Sequence, residues 1–272
     1  MDNVTVIKAK KGLAHFDLKE LWQYRELFGV LAMREFQVRY KQTLIGVLWA
    51  IIRPLLTMVV FTFLFGKIAQ IPSDGVPYPI FSYSGLVLWT YFSAAVAQSS
   101  SSMVGNSKLI TKVYFPRAII PASSTIVGLI DYVISFTIVF AMMIYYGYPL
   151  TWSLLLIPVV VFITWILSVG IGLWFSALNV KYRDVQYALP FFTQTLMYIT
   201  PVIYPVSLAG NYQWILALNP LSGLIEAHRA LILGSLSVDW GLLGISTVIT
   251  LLVFISGYMY FKYVEKYFAD II

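Results

Sequence analysis

The 272-residue sequence contains no cysteine and little charge, and each shortage excludes a class of protein. Without cysteine, a disulfide framework, a thiolate zinc site and a cysteine nucleophile are all excluded. Charged residues make up 11% of the sequence and hydrophobic residues 60%, whereas a soluble domain has about a quarter and about a half. Since the mean hydropathy is +0.81, the chain is not a soluble globule.

Histidine and phosphate-binding loops are also scarce. Histidine occurs only at His15 and His228, which lie far apart in the sequence, so we predict no histidine metal site within one chain. No G-x-x-x-x-G-K-[ST] loop occurs, and the nearest fragment, Gly105 to Lys108, lacks both the spacing and the following hydroxyl. We therefore expect no ATP hydrolysis by that machinery and no cofactor bound by this chain.

What the sequence does contain is a set of long apolar runs. A hydrocarbon core of about 30 Å needs about 20 helical residues, because backbone polar groups in lipid must be satisfied within the segment. The pattern therefore predicts an all-α integral membrane protein with six transmembrane helices. These are Leu44 to Gly66, Tyr83 to Met103, Ile119 to Tyr145, Trp152 to Leu178, Tyr187 to Val206 and Trp240 to Phe261.

The distribution of basic residues predicts the orientation of these helices. Fifteen lysines and arginines fall on the N-terminal arm, the second and fourth loops and the C-terminal tail, against only Lys67 and Arg229 on the other side. By the positive-inside rule, both termini are cytoplasmic in a multi-pass plasma-membrane protein. We expect a cytoplasmic arm over 1–43, a membrane domain over 44–261 and a tail over 262–272. The net charge of +6 then reflects orientation, and nucleic acid is not an expected partner.

Three segments outside the spans have helical patterns of their own. Asp17 to Arg39 reads as an amphipathic helix, either on the cytoplasmic membrane face or packed on the soluble domain of a partner. Lys108 to Arg117 reads as a short loop helix that either floats at the head groups or docks into a partner, with Phe115 or its neighbours as anchors. The outer stretch Ser207 to Asp239 contains two apolar pieces, Trp214 to Leu218 and Leu221 to Leu233, each too short to span. It favours re-entrant or interfacial helices, with Glu226 and Arg229 spaced to pair.

One acidic residue falls in the middle of a predicted span. Asp131 is a functional candidate by its position, and the alternative is a structural carboxyl that bonds to hydroxyls of neighbouring helices. Aromatic residues make up 17% of the sequence, and most of them are accounted for by interfacial belts and lipid-facing bulk. A minority could line a path for sugars, because an aromatic face contacts the C–H face of a pyranose.

Several strings, in order and at family-like spacing, resemble one family. They are Arg39 to Trp49 followed by Pro54, Lys108 to Pro116, Asn179 to Asp184, Pro201 to Pro205, and Leu218 to Leu221 with Arg229 beyond. Together they resemble the membrane subunits of type-2 ABC exporters of polysaccharides and polyol phosphates. The O-antigen exporter permeases of the Wzm type look most similar, with capsule and teichoic-acid exporter permeases nearly as close.

The resemblance implies a homodimer in the lipid membrane with two separate nucleotide-binding ATPase subunits, which bind the ATP and Mg. Such a complex exports a polyprenyl-diphosphate-linked glycan. Carried onto this chain, Asp17 to Arg39 becomes the interface helix, and the ATPase-coupling residues are Lys108, Leu109, Thr111, Lys112, Tyr114, Phe115, Pro116 and Arg117. The outer-gate residues are Tyr204, Asn219, Pro220, Glu226 and Arg229.

We expect the substrate path to combine cations for the diphosphate with aromatic side chains for the glycan. Its candidate residues are Arg39, Lys41, Trp49, Arg53, Trp89, Tyr91, Phe92 and Tyr198. Two alternatives stay open at this point, namely a drug or lipid exporter of the same superfamily and an integral-membrane enzyme acting on polyprenyl-linked sugars. The enzyme would need clustered acidic residues at one membrane face, and the cytoplasmic loops offer only Asp184.

Overall fold

The computed structural model describes residues 22–41, 46–234 and 236–268, and no β-strand occurs in those ranges. Its α-helices, numbered in chain order, are α1 Arg25–Tyr40, α2 Leu48–Phe61, α3 Tyr78–Gly105, α4 Ser107–Lys112, α5 Ile119–Ser124, α6 Ile126–Tyr146, α7 Ile157–Lys181, α8 Val185–Ile199, α9 Gln213–Ala217, α10 Pro220–Leu233 and α11 Trp240–Val264. A π-helical segment, Thr62–Ile68, continues α2, and 3₁₀ turns lie at Trp152–Leu156, Val206–Tyr212 and Glu265–Tyr267. The predicted all-α fold is confirmed over this part of the chain. Asp17 and the start of the predicted amphipathic helix lie outside the described residues.

In the described part of the chain, five helical segments are long and apolar enough to cross a membrane. They are Leu48–Ile68, Tyr78–Gly105, Ile119–Tyr146, Trp152–Lys181 and Trp240–Tyr267, and they coincide with five of the six predicted spans. The remaining prediction, Tyr187 to Val206, falls on α8, which has 15 residues and a length of about 22 Å. Helix α8 ends where Thr200 turns extended, with a ψ of 140°. A sixth crossing therefore stays a prediction.

Helix α3 is the centre of the bundle. It is apolar all round and is the most buried of the five candidate spans, as expected for a helix with neighbours on every side. Helices α6 and α7 pack against it, and α11 packs against α7. Helices α7 and α11 approach each other closely because Gly170 of α7 has no side chain. A Cβ built there would lie 2.7 Å from the Cα of Phe254.

Helices α1 and α4 and the turn Glu265–Tyr267 share one end of the bundle, which we call the basic end. The Arg117 guanidinium donates to the Glu265 carbonyl oxygen over 2.8 Å, and the Arg34 side chain contacts Asn106. An apolar cluster lies beneath these contacts and includes Leu31, Ile110, Phe115, Phe261 and Phe268. Helix α1, the α3–α5 loop and the turn Glu265–Tyr267 therefore form one packed unit.

Helices α9 and α10 occupy the opposite end, which we call the outer end. The Asn219 side chain accepts from the Leu221 backbone N–H over 3.1 Å, Pro220 occupies the first turn of α10, and Gly234 ends the helix with a φ of +61°. Twelve of the 14 residues of α10 are buried. This helix, about 21 Å long, is too short to cross a bilayer.

Candidate functional site

A cavity of about 240 Å³ opens between α1, α2, α3 and α6 near the basic end. Its lining combines arginines, aromatic rings and one carboxylate. The lining side chains with polar or aromatic groups are Arg39, Tyr40, Trp49, Arg53, Thr90, Tyr91, Asp131, Tyr132 and Ser135. Four of the predicted path residues, Arg39, Trp49, Arg53 and Tyr91, are thus brought together from three different helices.

An ion pair closes one side of this cavity. The Arg39 guanidinium lies 2.9 Å from the Asp131 carboxylate, and the two side chains are 31% and 18% exposed. The Tyr40 hydroxyl donates to the same carboxylate. Asp131 therefore ties the C-terminal end of α1 to the second turn of α6. Of the two sequence-based alternatives, this contact matches a partnered carboxyl, with a cation as an additional partner.

The second arginine of the cavity has a different environment. The Arg53 guanidinium lies 5.8 Å from the centre of the Trp49 ring, one turn earlier on α2, and its side chain is exposed. Among the ion pairs of the described residues, none involves Arg53. Two guanidinium groups and one carboxylate leave the cavity with a net positive charge.

This arrangement suits binding of an anion rather than bond-making chemistry. A guanidinium group binds phosphate oxygens through paired N–H donors, and Trp49 and Tyr91 offer apolar faces beside the cations. No group of three or more histidine, aspartate or glutamate side chains that could hold a metal ion occurs in the described part of the chain. The cavity can therefore hold a phosphate-bearing, partly apolar molecule.

The other predicted path residues lie elsewhere. Trp89 and Phe92 are buried in the core, on α3, with ring centres 5.7 Å apart. Lys41 is exposed just after α1, and Tyr198 is 52% exposed on α8. Within a single chain, these four side chains are not part of the cavity lining.

The predicted coupling segment has a shorter helix than expected. Helix α4 ends at Lys112, because Val113 takes an extended conformation with φ −132° and ψ 136°. The side chains of Lys108, Thr111, Lys112 and Tyr114 are exposed, whereas Leu109 and Arg117 are half-buried. Phe115 and Pro116 are buried, and Phe115 is only 3% exposed in the apolar cluster of the basic end. The exposed aromatic side chain of this segment is Tyr114, at 64%.

The predicted outer-gate residues form a polar network around Arg229. The predicted pairing is confirmed, since the Arg229 guanidinium lies 2.9 Å from the Glu226 carboxylate. Arg229 also donates to the backbone oxygens of Phe81, Pro201 and Val202, at 3.0 to 3.2 Å. Its side chain is fully buried. This one side chain therefore joins α10 to the start of α3 and to the turn after α8.

Two further bonds hold the same region. The Asn219 amide donates to the Thr200 hydroxyl over 2.8 Å, and the Tyr204 hydroxyl donates to the Ile199 carbonyl over 2.6 Å. Both bonds fix the turn that follows α8. Pro220, the remaining predicted residue, sets the first turn of α10.

Next to Arg229, His228 is completely buried between α3 and α6. One ring nitrogen lies 2.7 Å from the Tyr132 hydroxyl and the other lies 3.0 Å from the Ser84 carbonyl oxygen. Burial lowers the pKa of His228 to about 3, so the ring is neutral at physiological pH. Burial also raises the pKa of Glu226, and the Arg229 guanidinium opposes that rise.

Sequence reasoning missed Tyr40, Ser135 and His228 as site residues. Tyr40 follows Arg39 within a string already singled out, so its position beside the cavity had a sequence signal. The Ser135 hydroxyl donates to the Ala50 carbonyl over 2.6 Å and so joins α6 to α2, a contact with no signal in the sequence. The sequence pattern indicates no role for His228 beyond that of a possible metal ligand.

Comparison with known proteins gives a consistent set of relatives. The family model described as ABC-2 type transporter matches residues 26–233. The chain is 30% identical over 218 residues to the O-antigen export system permease protein RfbA of Myxococcus xanthus, covering 79% of this chain and 83% of that protein. It is 28% identical over 252 residues to the RfbA permease of Klebsiella pneumoniae, covering 91% and 95%. It is 26% identical over 242 residues to the polysialic acid transport protein KpsM of Escherichia coli, covering 84% and 90%.

Proposed function

The chain belongs to the ABC-2 type transporter membrane family, and from this premise we propose that it is the permease subunit of a polysaccharide exporter. It is a transport subunit and not an enzyme, and a separate ATPase binds and hydrolyses the ATP. The polysaccharide is inferred from the relatives, which are named for export of O-antigen or polysialic acid. The finer substrate that we propose is a glycan carried on a polyprenyl diphosphate.

The observation that carries this proposal is the cavity at the basic end. A lipid-linked glycan presents a diphosphate between an apolar tail and a sugar, so its binding site needs cations beside apolar faces. Arg39 and Arg53 supply the cations and Trp49 supplies an aromatic face on the same helix as Arg53. A hydrophobic drug would not need two guanidinium groups at this position.

We propose that two copies of the chain form the transport path together. Helix α2 and the π-helical segment that continues it expose several large apolar side chains, including Leu56, Val59 and Phe63, and α8 exposes Tyr187 and Phe191. Such surfaces suit lipid or a second copy of the chain. In the proposed homodimer, α10 of each copy contributes a re-entrant outer gate, and α4 with Tyr114 contacts the ATPase. The basic end then faces the cytoplasm, where the ATPase and the glycan are available.

Export measurements on Arg53 variants test this function. We expect Arg53→Gln to reduce surface glycan by about tenfold or more, because one of two cations for the diphosphate is lost, a loss of at least about 1.4 kcal/mol. Arg53→Lys keeps a point charge and should export more than Arg53→Gln. Trp49→Ala should have a smaller effect than Arg53→Gln, since stacking on one ring is worth about 0.5–1.5 kcal/mol.

The assay compares surface glycan on intact cells at matched membrane abundance of each variant. Trp89→Ala serves as the control for a buried aromatic side chain outside the cavity. Full export by Arg53→Gln would contradict the head-group role. ATPase activity of the purified complex separates the substrates, since a polyprenyl-diphosphate-linked glycan should stimulate it. Stimulation by hydrophobic drugs alone would instead indicate a drug exporter.

A further inference from the structure

The Arg39–Asp131 ion pair lies inside the cavity that the proposed function assigns to an anionic head group. The guanidinium and carboxylate are 2.9 Å apart, so the carboxylate already occupies a face of Arg39 that a phosphate would use. The Tyr40 hydroxyl donates to the same carboxylate and holds it in place. In its hydrogen-bonding orientation the Gln98 amide oxygen also accepts from Arg39, at 2.9 and 3.0 Å.

The second cation of the cavity is not covered in this way. Arg53 stacks on Trp49, and within the described residues no carboxylate pairs with it. An anion in the cavity therefore finds Arg53 without a paired carboxylate but has to compete with Asp131 for Arg39. A head group with one charge can satisfy Arg53 alone. A head group with two linked charges can satisfy Arg53 and still offer a second anion to Arg39.

This difference matters because a membrane-embedded anion site faces many competing phospholipids. Single-charged head groups such as phosphatidylglycerol are abundant in anionic membranes, and two unpaired arginines would attract them. A built-in carboxylate lowers the affinity for every anion. A single-charged head group bound at Arg53 gains nothing by displacing the carboxylate from Arg39, whereas a diphosphate anchored at Arg53 presents its second charge to Arg39 from within the same molecule.

We propose that Asp131 is a specificity-determining residue that pairs with Arg39 until a diphosphate displaces it, and so excludes single-charged lipid head groups from Arg39. The proposal rests on the proposed function for the identity of the ligand. It assigns to Asp131 a competitive role, in which the carboxylate acts through Arg39. The bond between the Tyr40 hydroxyl and Asp131 then determines where the carboxylate is held while the cavity is empty.

The test measures binding of farnesyl diphosphate to the permease–ATPase complex in nanodiscs of phosphatidylcholine, with or without phosphatidylglycerol. For the unmodified chain, phosphatidylglycerol should change the affinity less than about twofold. Asp131→Asn should bind farnesyl diphosphate about tenfold more tightly in phosphatidylcholine, a change of about 1.4 kcal/mol. Phosphatidylglycerol should cancel that gain, because the uncovered Arg39 now accepts single-charged head groups.

Three controls test whether the gain in affinity of Asp131→Asn comes from uncovering Arg39. Glu35→Gln removes a carboxylate from another arginine pair, 3.0 Å from Arg34 and outside the cavity, and should leave both affinities unchanged. In an Arg39→Gln background, Asp131→Asn should give less than about a third of its usual gain, because the competed cation is absent. Inorganic diphosphate should compete with farnesyl diphosphate. Failure to compete would assign binding to the prenyl tail and overturn the proposal.

The remaining outcomes are equally decisive. Unchanged lipid selectivity in a folded Asp131→Asn complex overturns the proposal, as does an undiminished gain in the Arg39→Gln background. Asp131→Ser is the second neutral variant, and failure of both to fold beside a folded Glu35→Gln assigns Asp131 to the scaffold and also overturns it. The proposed function fails separately, when the unmodified complex neither binds the diphosphate nor exports glycan.

Discussion

Arg229 is the largest side chain that the described part of the chain buries completely. A buried guanidinium costs several kcal/mol of desolvation unless each N–H finds an acceptor. Here the Glu226 carboxylate and three backbone oxygens accept from it, and the Phe81 ring centre lies 3.8 Å from the guanidinium carbon. A Cβ at Gly85 would lie 2.9 Å from an Arg229 nitrogen, so the neighbouring helix also has to be small at this point.

We therefore predict that Arg229→Gln destabilises the chain by about 3–5 kcal/mol, because it leaves the half-buried Glu226 carboxylate and buried backbone oxygens without their cationic partner. The free energy of unfolding of the purified complex, or its thermal midpoint, checks this. Arg34→Gln is the matched control, because Arg34 is 46% exposed and pairs with Glu35 over a similar distance of 3.0 Å. The control should cost no more than about 1 kcal/mol. Equal losses in the two variants would mean that burial of the Arg229 network contributes nothing.

At the scale of elements, the sequence predicts what depends on local composition. Five apolar runs become helices with almost the predicted bounds, because a long apolar segment has few alternatives to a buried or lipid-facing helix. The length of α8 was not predictable in this way. Its apolar pattern continues to Val206, but Thr200 turns extended and the next residues form the turn that Arg229 and Asn219 hold. That ending depends on contacts with α10.

The candidate site shows the same division. Arg39 and Arg53 could be selected from the sequence because both are cations near the start of the first predicted span. Asp131 could be selected as an unusual carboxylate in an apolar run. The ion pair between Arg39 and Asp131 joins α1 to α6 across a large separation in sequence, and neither local sequence pattern specifies it. The burial of Phe115 could not be predicted from local sequence either, because it depends on Phe261 and Phe268 near the C-terminal end of the chain.

The coupling segment gives a prediction at this scale, because neighbouring aromatics have opposite environments. Tyr114→Ala should weaken association with the ATPase by about 30-fold, or about 2 kcal/mol, without changing thermal stability, since Tyr114 is exposed beyond α4. Phe115→Ala should instead destabilise the permease by about 3–5 kcal/mol, because it opens a cavity in the apolar cluster. Co-purification of the ATPase and the thermal midpoint of the permease separate the two effects. Loss of ATPase binding by a fully stable Phe115→Ala variant would reverse the assignment.

For the whole molecule, the two ends of the bundle differ in charge and in construction. The basic end combines α1, α4 and the turn Glu265–Tyr267, with Arg34, Arg117 and other basic residues near its surface. The outer end places its arginine in the interior, bound to Glu226. A positive end is retained on the cytoplasmic side during insertion, so the fold and the distribution of charge favour the same orientation.

This orientation, together with a sixth crossing by α8, makes a labelling prediction. In a chain without cysteine, single cysteines at the exposed positions Glu26, Lys112, Arg183, Asn211 and Lys266 can be tested one at a time with an impermeant maleimide. Only Asn211→Cys should react in intact cells, because α8 carries the chain across the membrane between Arg183 and Asn211. The other four should react only after permeabilisation.

If α8 does not cross, Asn211→Cys will be protected and Lys266→Cys will be labelled from outside, because an odd number of crossings places the termini on opposite sides. Labelling of Glu26, Lys112, Arg183 and Lys266 from outside, with Asn211 protected, would keep the sixth crossing and invert the molecule. The ATPase would then have to bind at the outer end, where α10 is buried and Tyr114 is out of reach.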